Sequence, residues 1–418
     1  MASTFHIHTL GCPKNQVDSD KIVGTLLDDG MIATDDAASA DLVVVNTCAF
    51  IEEAREESIN TILALDSARA EGARLVVTGC MAERYGDELA EALPEVDQVA
   101  GFGVPVTLTK KPLGLTIGSE PPVPKLDLLN LRRPKSDLPW AYVKIAEGCD
   151  RNCGFCAIPS FRGPQDSRTV DSILREVDDL EVREIVLVAQ DLASFGKDRK
   201  ERGAIVPLVE AVAARVDRVR LLYLYPSDLS DELIDAVLAT GVPYFDLSLQ
   251  HVSKPHLRRM RRWGDGQRFL DRIERIRSLA PDAAFRSNFI VGYPGETEDD
   301  QAEMAQWIEA AQLDWCGLFT YSNEEGTYAA DLADKVPAEL MRERHLELSE
   351  LQDSITAVRR DELIGENVTV LVDEVGIGRT HREAPEIDGV IRVSADLTVG
   401  EFHTVRVVAS DGPDLDAE

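Results

Sequence analysis

Nothing in the 418-residue sequence stays apolar long enough to cross a bilayer, since runs such as LVVVNTCAF fall well short of the roughly 20 residues a spanning helix needs. A soluble protein with no membrane partner is expected. A secretory leader is missing too: MASTFHIHTLGC has no basic stretch leading into an apolar one, and a cytoplasmic address is expected. Positive charge is scarce. Against 75 carboxylates stand 44 lysines and arginines, a formal net charge of -31 that repels polyanions at long range and argues against broad nucleic-acid binding. The same acidic excess also serves solubility. Cysteine is scarce as well, at seven residues. In a reducing compartment such thiols stay free for metal or catalytic work instead of forming a disulfide framework, and the odd count fits two sets of three plus one. No internal repeat of roughly 20–50 residues is visible.

The length points to about three domains. In the first, TFHIHTLGC (4–12), DLVVVNTCAF (41–50) and RLVVTGCMA (74–82) read as short buried strands separated by helical segments such as EEAREESINTILALDSARA (52–70). That alternation predicts an open parallel α/β domain over 1–115. Each strand runs into a cysteine: Cys12, Cys48 and Cys80. Carboxyl ends of parallel strands share one sheet edge, so the three thiols are expected to converge, although a single buried cysteine is more often a small hydrophobe.

The proline-rich stretch GSEPPVPKLDLLNLRRPKSDLP breaks the rhythm, and a linker is expected over 116–139. From 140 to 354 six strand-like runs (AYVKIAEG, REIVLVAQD, RVRLLYLYP, YFDLSLQ, AAFRSNFIVGYP, WCGLFTYSN) alternate with helical patterns. They predict a partial TIM-like (β/α)6 barrel with its chemistry at the C-terminal strand ends. A long helical stretch (337–360) then leads to a small antiparallel β domain, placed at 355–418.

The loop after the first barrel strand, GCDRNCGFC, holds Cys149, Cys153 and Cys156 in a Cys-x-x-x-Cys-x-x-Cys pattern. Three thiolates on one loop can reach three corners of a cubane iron–sulfur cluster and leave the fourth iron open. Zinc is the competing reading, but it wants a matching second pair nearby, and the next cysteine is Cys316.

This spacing, with aromatic Phe155 just before the last cysteine, resembles the radical S-adenosylmethionine superfamily. The resemblance implies that Cys149, Cys153 and Cys156 hold a 4Fe-4S cluster whose open iron chelates S-adenosylmethionine, and that reductive cleavage of the sulfonium yields a 5'-deoxyadenosyl radical. It further implies cofactor contacts at the strand ends, at Gln190 and Asp191, at Ser248, Gln250 and neighbouring His251, and at Asn288, Val291 and Gly292. Any of these polar groups could instead satisfy backbone. TLGCPKNQVDSD, VVNTCAFIEEAREES and VTGCMAERY, taken with the radical loop and the terminal β domain, resemble the methylthiotransferases over essentially the whole chain. That resemblance implies a second 4Fe-4S cluster on Cys12, Cys48 and Cys80, carrying the sulfur to be delivered. Catalysis then belongs to the two clusters, and no catalytic side chain is assigned.

Within that family the segments Leu10–Asn15 and Ala157–Gly163 look like the RimO type, which modifies the β-carbon of an aspartate in ribosomal protein S-twelve. The other branch methylthiolates an adenosine beside the tRNA anticodon and stands as the alternative. The terminal domain resembles a TRAM domain, yet residues 361–418 hold 14 acidic and four basic residues. Such a surface favours a basic ribosomal protein, alone or in the small subunit, over tRNA. A reducing partner such as flavodoxin or ferredoxin is implied. KPHLRRMRRWGDGQR (254–268) runs the other way, as a basic segment with Trp263 interleaved. It equally reads as a helix with Leu257 and Met260 facing a core and its arginines facing water. His6, His8 and Cys316 are expected to pack, and Glu324 and Glu325 to cap a loop. An iron–sulfur scaffold or sensor would explain six cysteines but not the barrel.

Overall fold

The computed structural model describes residues 2–108 and 127–418. Of the linker expected at 116–139, residues 116–126 lie outside the described residues, as do 109–115 of the expected first domain. The chain divides into two units. One comprises Met1–Lys135 and Ala157–Pro164, the other Ser136–Cys156 and Gln165–Glu418.

In the first unit, β1 (Thr4–Thr9), β2 (Ile32–Ala33), β3 (Leu42–Thr47), β4 (Arg74–Gly79) and β5 (Gln98–Ala100) form one parallel sheet in the order β2-β1-β3-β4-β5. The continuous valine runs of β3 and β4 follow from burial on both faces. On one face Val43, Val45, Leu75 and Val77 pack with Ile62 of α2 (Glu52–Ala68) and with Met81 and Leu89 of α3 (Cys80–Ala92). On the other, Phe5, Val44 and Val76 meet Ile22 and Leu26 of α1 (Pro13–Asp28). Each fully buried valine stabilises the unit by roughly 2 kcal/mol. The short helix α4 (Ile158–Arg162) adds Phe161 to the first face.

The second unit begins with β6 (Trp140–Lys144) and a small antiparallel pair, β7 (Ala146–Glu147) with β8 (Asp166–Ser167). Five further strands complete the expected six: β9 (Glu184–Val188), β10 (Arg218–Leu221), β11 (Tyr244–Gln250), β12 (Ala284–Val291) and β13 (Trp315–Thr320). They lie as two parallel three-stranded sheets, β10-β9-β6 and β11-β12-β13, joined by a parallel bridge between Leu224 and Leu247. The intervening helices are α5 (Val170–Leu180), α6 (Ile205–Ala213), α7 (Asp231–Leu238), α8 (Lys254–Arg259), α9 (Gly266–Leu279) and α10 (Glu298–Ala311). Local chemistry fixes their starts: Thr169, Ser230 and Asp265 each accept a backbone N–H as N-caps, and Thr297 with Asp300 forms a capping box. Val143, Ile185, Leu187, Val219, Phe245 and Phe285 lie in the core.

Helix α11 (Ala338–Asp361) leads to β14 (Asn367–Glu374), β15 (Ile377–Arg379), β16 (Ile391–Arg392), β17 (Phe402–Asp411) and β18 (Asp414–Ala417). These close into a barrel in the order β14-β15-β16-β18-β17, antiparallel except for the parallel pair β16–β18. This small barrel docks near the amino ends of the large strands, where Tyr142 donates to the Pro385 carbonyl (2.9 Å) and Tyr244 to Asp388 (2.6 Å). The opposite, carboxyl ends carry the cysteine loop. Among the described residues no helix is long and apolar enough to cross a membrane.

Candidate active site

Adjacent strands β1, β3 and β4 each deliver a cysteine just past their carboxyl ends. Two glycines make the close approach of these loops possible. At Gly11 (φ +93°) a Cβ would lie 2.8 Å from the Cβ of Cys48, and at Gly79 (φ +90°) one would lie 2.6 Å from the Thr47 carbonyl oxygen. Pro13 starts α1 directly after Cys12, and Cys80 is the first residue of α3, so both thiols sit at the positive ends of helices. Asn15 Nδ2 ties two of the loops together by donating to the carbonyls of Leu10 (2.8 Å) and Thr47 (3.0 Å). Its Oδ1 accepts from Arg162 Nη2 (2.7 Å), and the same nitrogen lies 3.0 Å from Cys80 Sγ.

Burial, reinforced by the neighbouring Cys12 and Cys80, pushes the Cys48 thiol up to about 12. Burial also raises Cys80, against the charge of Arg162. At Cys12 burial pushes upward as well, but Lys14 and Arg162 outweigh it and hold the thiol below its ordinary value. The three sulfurs thus share one cationic neighbour, Arg162. Among the described residues no three Cys, His, Asp or Glu side chains stand close enough to hold a single metal ion. A cubane makes a different demand, because it takes each thiolate at a separate corner iron.

The second trio lies on the loop after β6. Glu147 anchors its start, accepting from Lys144 (2.7 Å), the Gly148 N–H (3.1 Å) and Gln190 Nε2 (2.8 Å). Gly154 is held by the Met260 carbonyl (2.8 Å) and the Ala329 N–H (2.7 Å). Cys149 Sγ accepts from the Arg151 N–H (3.4 Å); burial pushes its thiol up to about 11 against that bond. Cys156 N–H donates to the Cys153 carbonyl (3.2 Å), and Cys153 Sγ accepts from Arg262 Nη1 (3.3 Å). The Tyr225 ring has the Arg151 guanidinium 3.9 Å and the Arg262 guanidinium 4.2 Å from its centroid. Arg151 is bonded in turn to Asp191 (2.6 Å), Ser194 (3.0 Å) and Asp228. Phe155, half-buried, packs with Met260, Ile290 and Tyr293.

The other expected contacts occupy the ends of β9, β11 and β12. His251 Nε2 faces Glu296 Oε2 at 3.6 Å, whereas Gln190 Oε1, Asp191 Oδ1 and Asn288 Oδ1 are buried with no hydrogen-bond partner among the described residues. Each such atom costs about 1–3 kcal/mol, as in a site built for a polar ligand. Gln250 has φ +74° beside a register shift in β11, and the Ser248 carbonyl accepts from Arg262. Val291 and Gly292 are engaged within the protein: the Val291 carbonyl accepts from the Tyr321 N–H (2.8 Å), and the Gly292 N–H donates to Glu296 (3.0 Å).

Arg151, Glu147 and Tyr225 carry no signal in the sequence beyond their place at strand ends. The basic run behaves differently from its expected face. Leu257 and Met260 are buried, but α8 stops at Arg259 and Arg261 takes φ +55°, so the helical phase is lost and Arg262 turns inward to Cys153. Cys316 packs against the core, where burial pushes its thiol up to about 12. His6 bonds the Thr34 carbonyl (3.1 Å), and buried Glu324 accepts from Ser322 (2.6 Å).

Three family descriptions match the chain: uncharacterized protein family UPF0004 over residues 4–101, the radical SAM superfamily over 143–308 and the TRAM domain over 364–418. Ribosomal protein uS12 methylthiotransferase RimO of Frankia casuarinae is 42% identical, over 98% of this chain and 91% of that protein. Its counterpart in Saccharopolyspora erythraea is also 42% identical, over 97% and 93%. A solved radical S-adenosylmethionine methyltransferase, TsrM from Kitasatospora setae, aligns at TM-score 0.48 and 14% identity over 77% of this chain and 72% of that one, a likeness too low to argue from. The chain is a radical S-adenosylmethionine transferase, a class that uses S-adenosylmethionine and iron–sulfur centres, and it belongs to the RimO-type methylthiotransferase family.

Proposed function

We propose that the chain converts a β-carbon C–H of an aspartate in ribosomal protein S-twelve into C–S–CH3. Cys149, Cys153 and Cys156 hold a 4Fe-4S cluster that binds S-adenosylmethionine, and Cys12, Cys48 and Cys80 hold a second. The observation that carries this reading is the delivery of three cysteines from three adjacent parallel strand ends, apart from the three on the loop after β6. When bound, the loop's cluster supplies hydrogen-abstracting chemistry with S-adenosylmethionine.

The protein's own part is to bind and orient. The unpartnered oxygens of Gln190 and Asn288 offer acceptors for the amino or hydroxyl groups of S-adenosylmethionine. Arg262 and the Arg151 N–H donate to ligand sulfurs and stabilise their negative charge. Phe155 covers the loop with apolar surface. A cytoplasmic setting and an electron donor such as flavodoxin or ferredoxin complete the reading.

The small terminal barrel favours a protein substrate over tRNA. Of its four arginines, Arg379 is paired with Asp373 (2.5 Å), Arg392 with Asp414 (3.0 Å) and Asp416 (3.1 Å), and Arg382 lies 3.7 Å from Asp314. Of the four, that leaves Arg406, which is exposed, and a single cation does little to neutralise phosphate. The deciding experiment is mass spectrometry of ribosomal protein S-twelve and of tRNA from a deletion strain. Loss of one methylthio group from the protein aspartate is expected; loss from tRNA with the protein unchanged would overturn the reading.

A further inference from the structure

Two sequence segments, LGCPKN and the stretch after Cys156, meet through a pair of side chains to which that function assigns nothing. Arg162 is buried, its side chain 3% exposed, and its guanidinium lies 4.6 Å from the Phe102 ring centroid. Nη1 lies 3.6 Å from Asp18 Oδ2, whose side chain is 2% exposed. Nη2 serves both Asn15 Oδ1 (2.7 Å) and Cys80 Sγ (3.0 Å). Asn15 is in turn fixed by its donations to Leu10 and Thr47, the residues flanking the turns to Cys12 and Cys48. One amide therefore touches the loops of two cysteines and orients the cation that touches the third.

Burying a guanidinium costs several kcal/mol unless negative charge surrounds it. Asp18 Oδ2 lies 3.6 Å from Nη1, and Cys80 Sγ is nearer, 3.0 Å from Nη2. Hydrogen bonds and positive charge at ligand sulfurs favour the more reduced, more negative state of an iron–sulfur group. We propose that Arg162, oriented by Asn15, is the positioning residue of the Cys12–Cys48–Cys80 centre, fixing the Cys80 sulfur and setting the reduction potential of the cluster held there. The proposal rests on the reading that this trio holds a cluster.

The test uses the full chain with Cys149, Cys153 and Cys156 changed to Ala, so that only the first trio can bind iron. Absence of any cluster in this background would overturn the reading of the trio itself. With a cluster present, Arg162→Met is expected to shift its midpoint potential downward in an EPR-monitored redox titration and to alter the Fe–S stretching bands. Arg162→Lys, which keeps the charge but not the planar fork, is expected to recover part of the potential and less of the band pattern. Asn15→Ser should move both readouts in the direction of Arg162→Met. Unchanged potential and bands in Arg162→Met would overturn the proposal. Should that variant fail to fold, an unchanged pair of readouts in both Arg162→Lys and Asn15→Ser would do so.

Discussion

Glu184 and Arg220 meet at 2.9 Å with neither side chain exposed to solvent. Glu184 opens β9, and beyond Arg220 it faces Arg379 of the small barrel at 3.3 Å. Arg220 lies 4.5 Å from the Tyr244 ring centroid and donates to the His381 carbonyl (2.9 Å). One carboxylate therefore neutralises cations from both parts of the second unit. Burial pushes its pKa up, but Arg379, Arg220 and Arg218 outweigh burial and hold it below the ordinary value. Glu184→Ala removes the carboxylate bonded to the buried Arg220 guanidinium, while Arg379 keeps Asp373, and a loss of about 3–5 kcal/mol is expected in urea unfolding. A loss under about 1 kcal/mol would show that the arginines find other partners.

Glu383 contributes to the acid limb of stability. Burial alone would raise this carboxyl; the charge of Arg360 and bonds from Thr380 overcome it and bring the pKa from 4.5 down to about 2. A depressed pKa stabilises the fold above the unfolded value and loses that contribution as pH falls through the folded one. The window runs from 4.5 to about 2, with about 3 kcal/mol at stake. Glu383→Gln should be less stable at neutral pH and show a flatter decline across that window. Asp388 has the opposite sign: burial raises it to about 6, so its contribution is full below 3.8 and lost as pH rises through 6. Parallel unfolding curves of wild type and Glu383→Gln below pH 4.5 would count against this assignment.

Asn288 offers a separation of stability from binding. Its Oδ1 is buried without a partner among the described residues, so removing the amide costs the fold no hydrogen bond at that atom. Asn288→Ala is expected to leave the unfolding midpoint within about 1 kcal/mol of wild type. Affinity for S-adenosylmethionine should fall on the order of tenfold, the worth of one hydrogen bond. Equilibrium dialysis of the reconstituted protein reads the second quantity, and unchanged affinity would remove Asn288 from the cofactor site.

Iron stoichiometry separates the two trios. Replacing Cys149, Cys153 and Cys156 by Ala should lower bound iron by about half and abolish release of 5'-deoxyadenosine with dithionite. Replacing Cys12, Cys48 and Cys80 should lower iron similarly while that release persists. Iron unchanged in either triple variant would disqualify its trio as a cluster ligand set.

Legibility in the sequence followed the range of the forces involved. Strands β3 and β4 are valine runs buried on both faces, and their cysteines follow at once, so fold and ligand positions could be read together. The small barrel was harder, because β15 and β18 have three and four residues, too few to alternate visibly, and the parallel pair β16–β18 joins distant segments. The inward turn of Arg262 was hidden because it depends on the positive φ of Arg261, which no hydrophobic period announces. Asn15 and Arg162 stood within motifs, but their meeting spans 147 positions.

That span has a bearing on biosynthesis. Phe161 belongs to the core of the first unit, and Ala157–Pro164 is part of that unit, whereas Ser136–Cys156 belongs to the other. A nascent chain that has emerged only as far as Lys135 therefore lacks a piece of the first unit's interior and the cation that faces Cys80. The first unit cannot finish folding in simple amino-to-carboxyl order; it must wait until the ribosome has released the residues that follow the radical loop. A fragment ending at Lys135 would then be a partial fold, without Phe161 in its core and without the arginine that bonds Cys80.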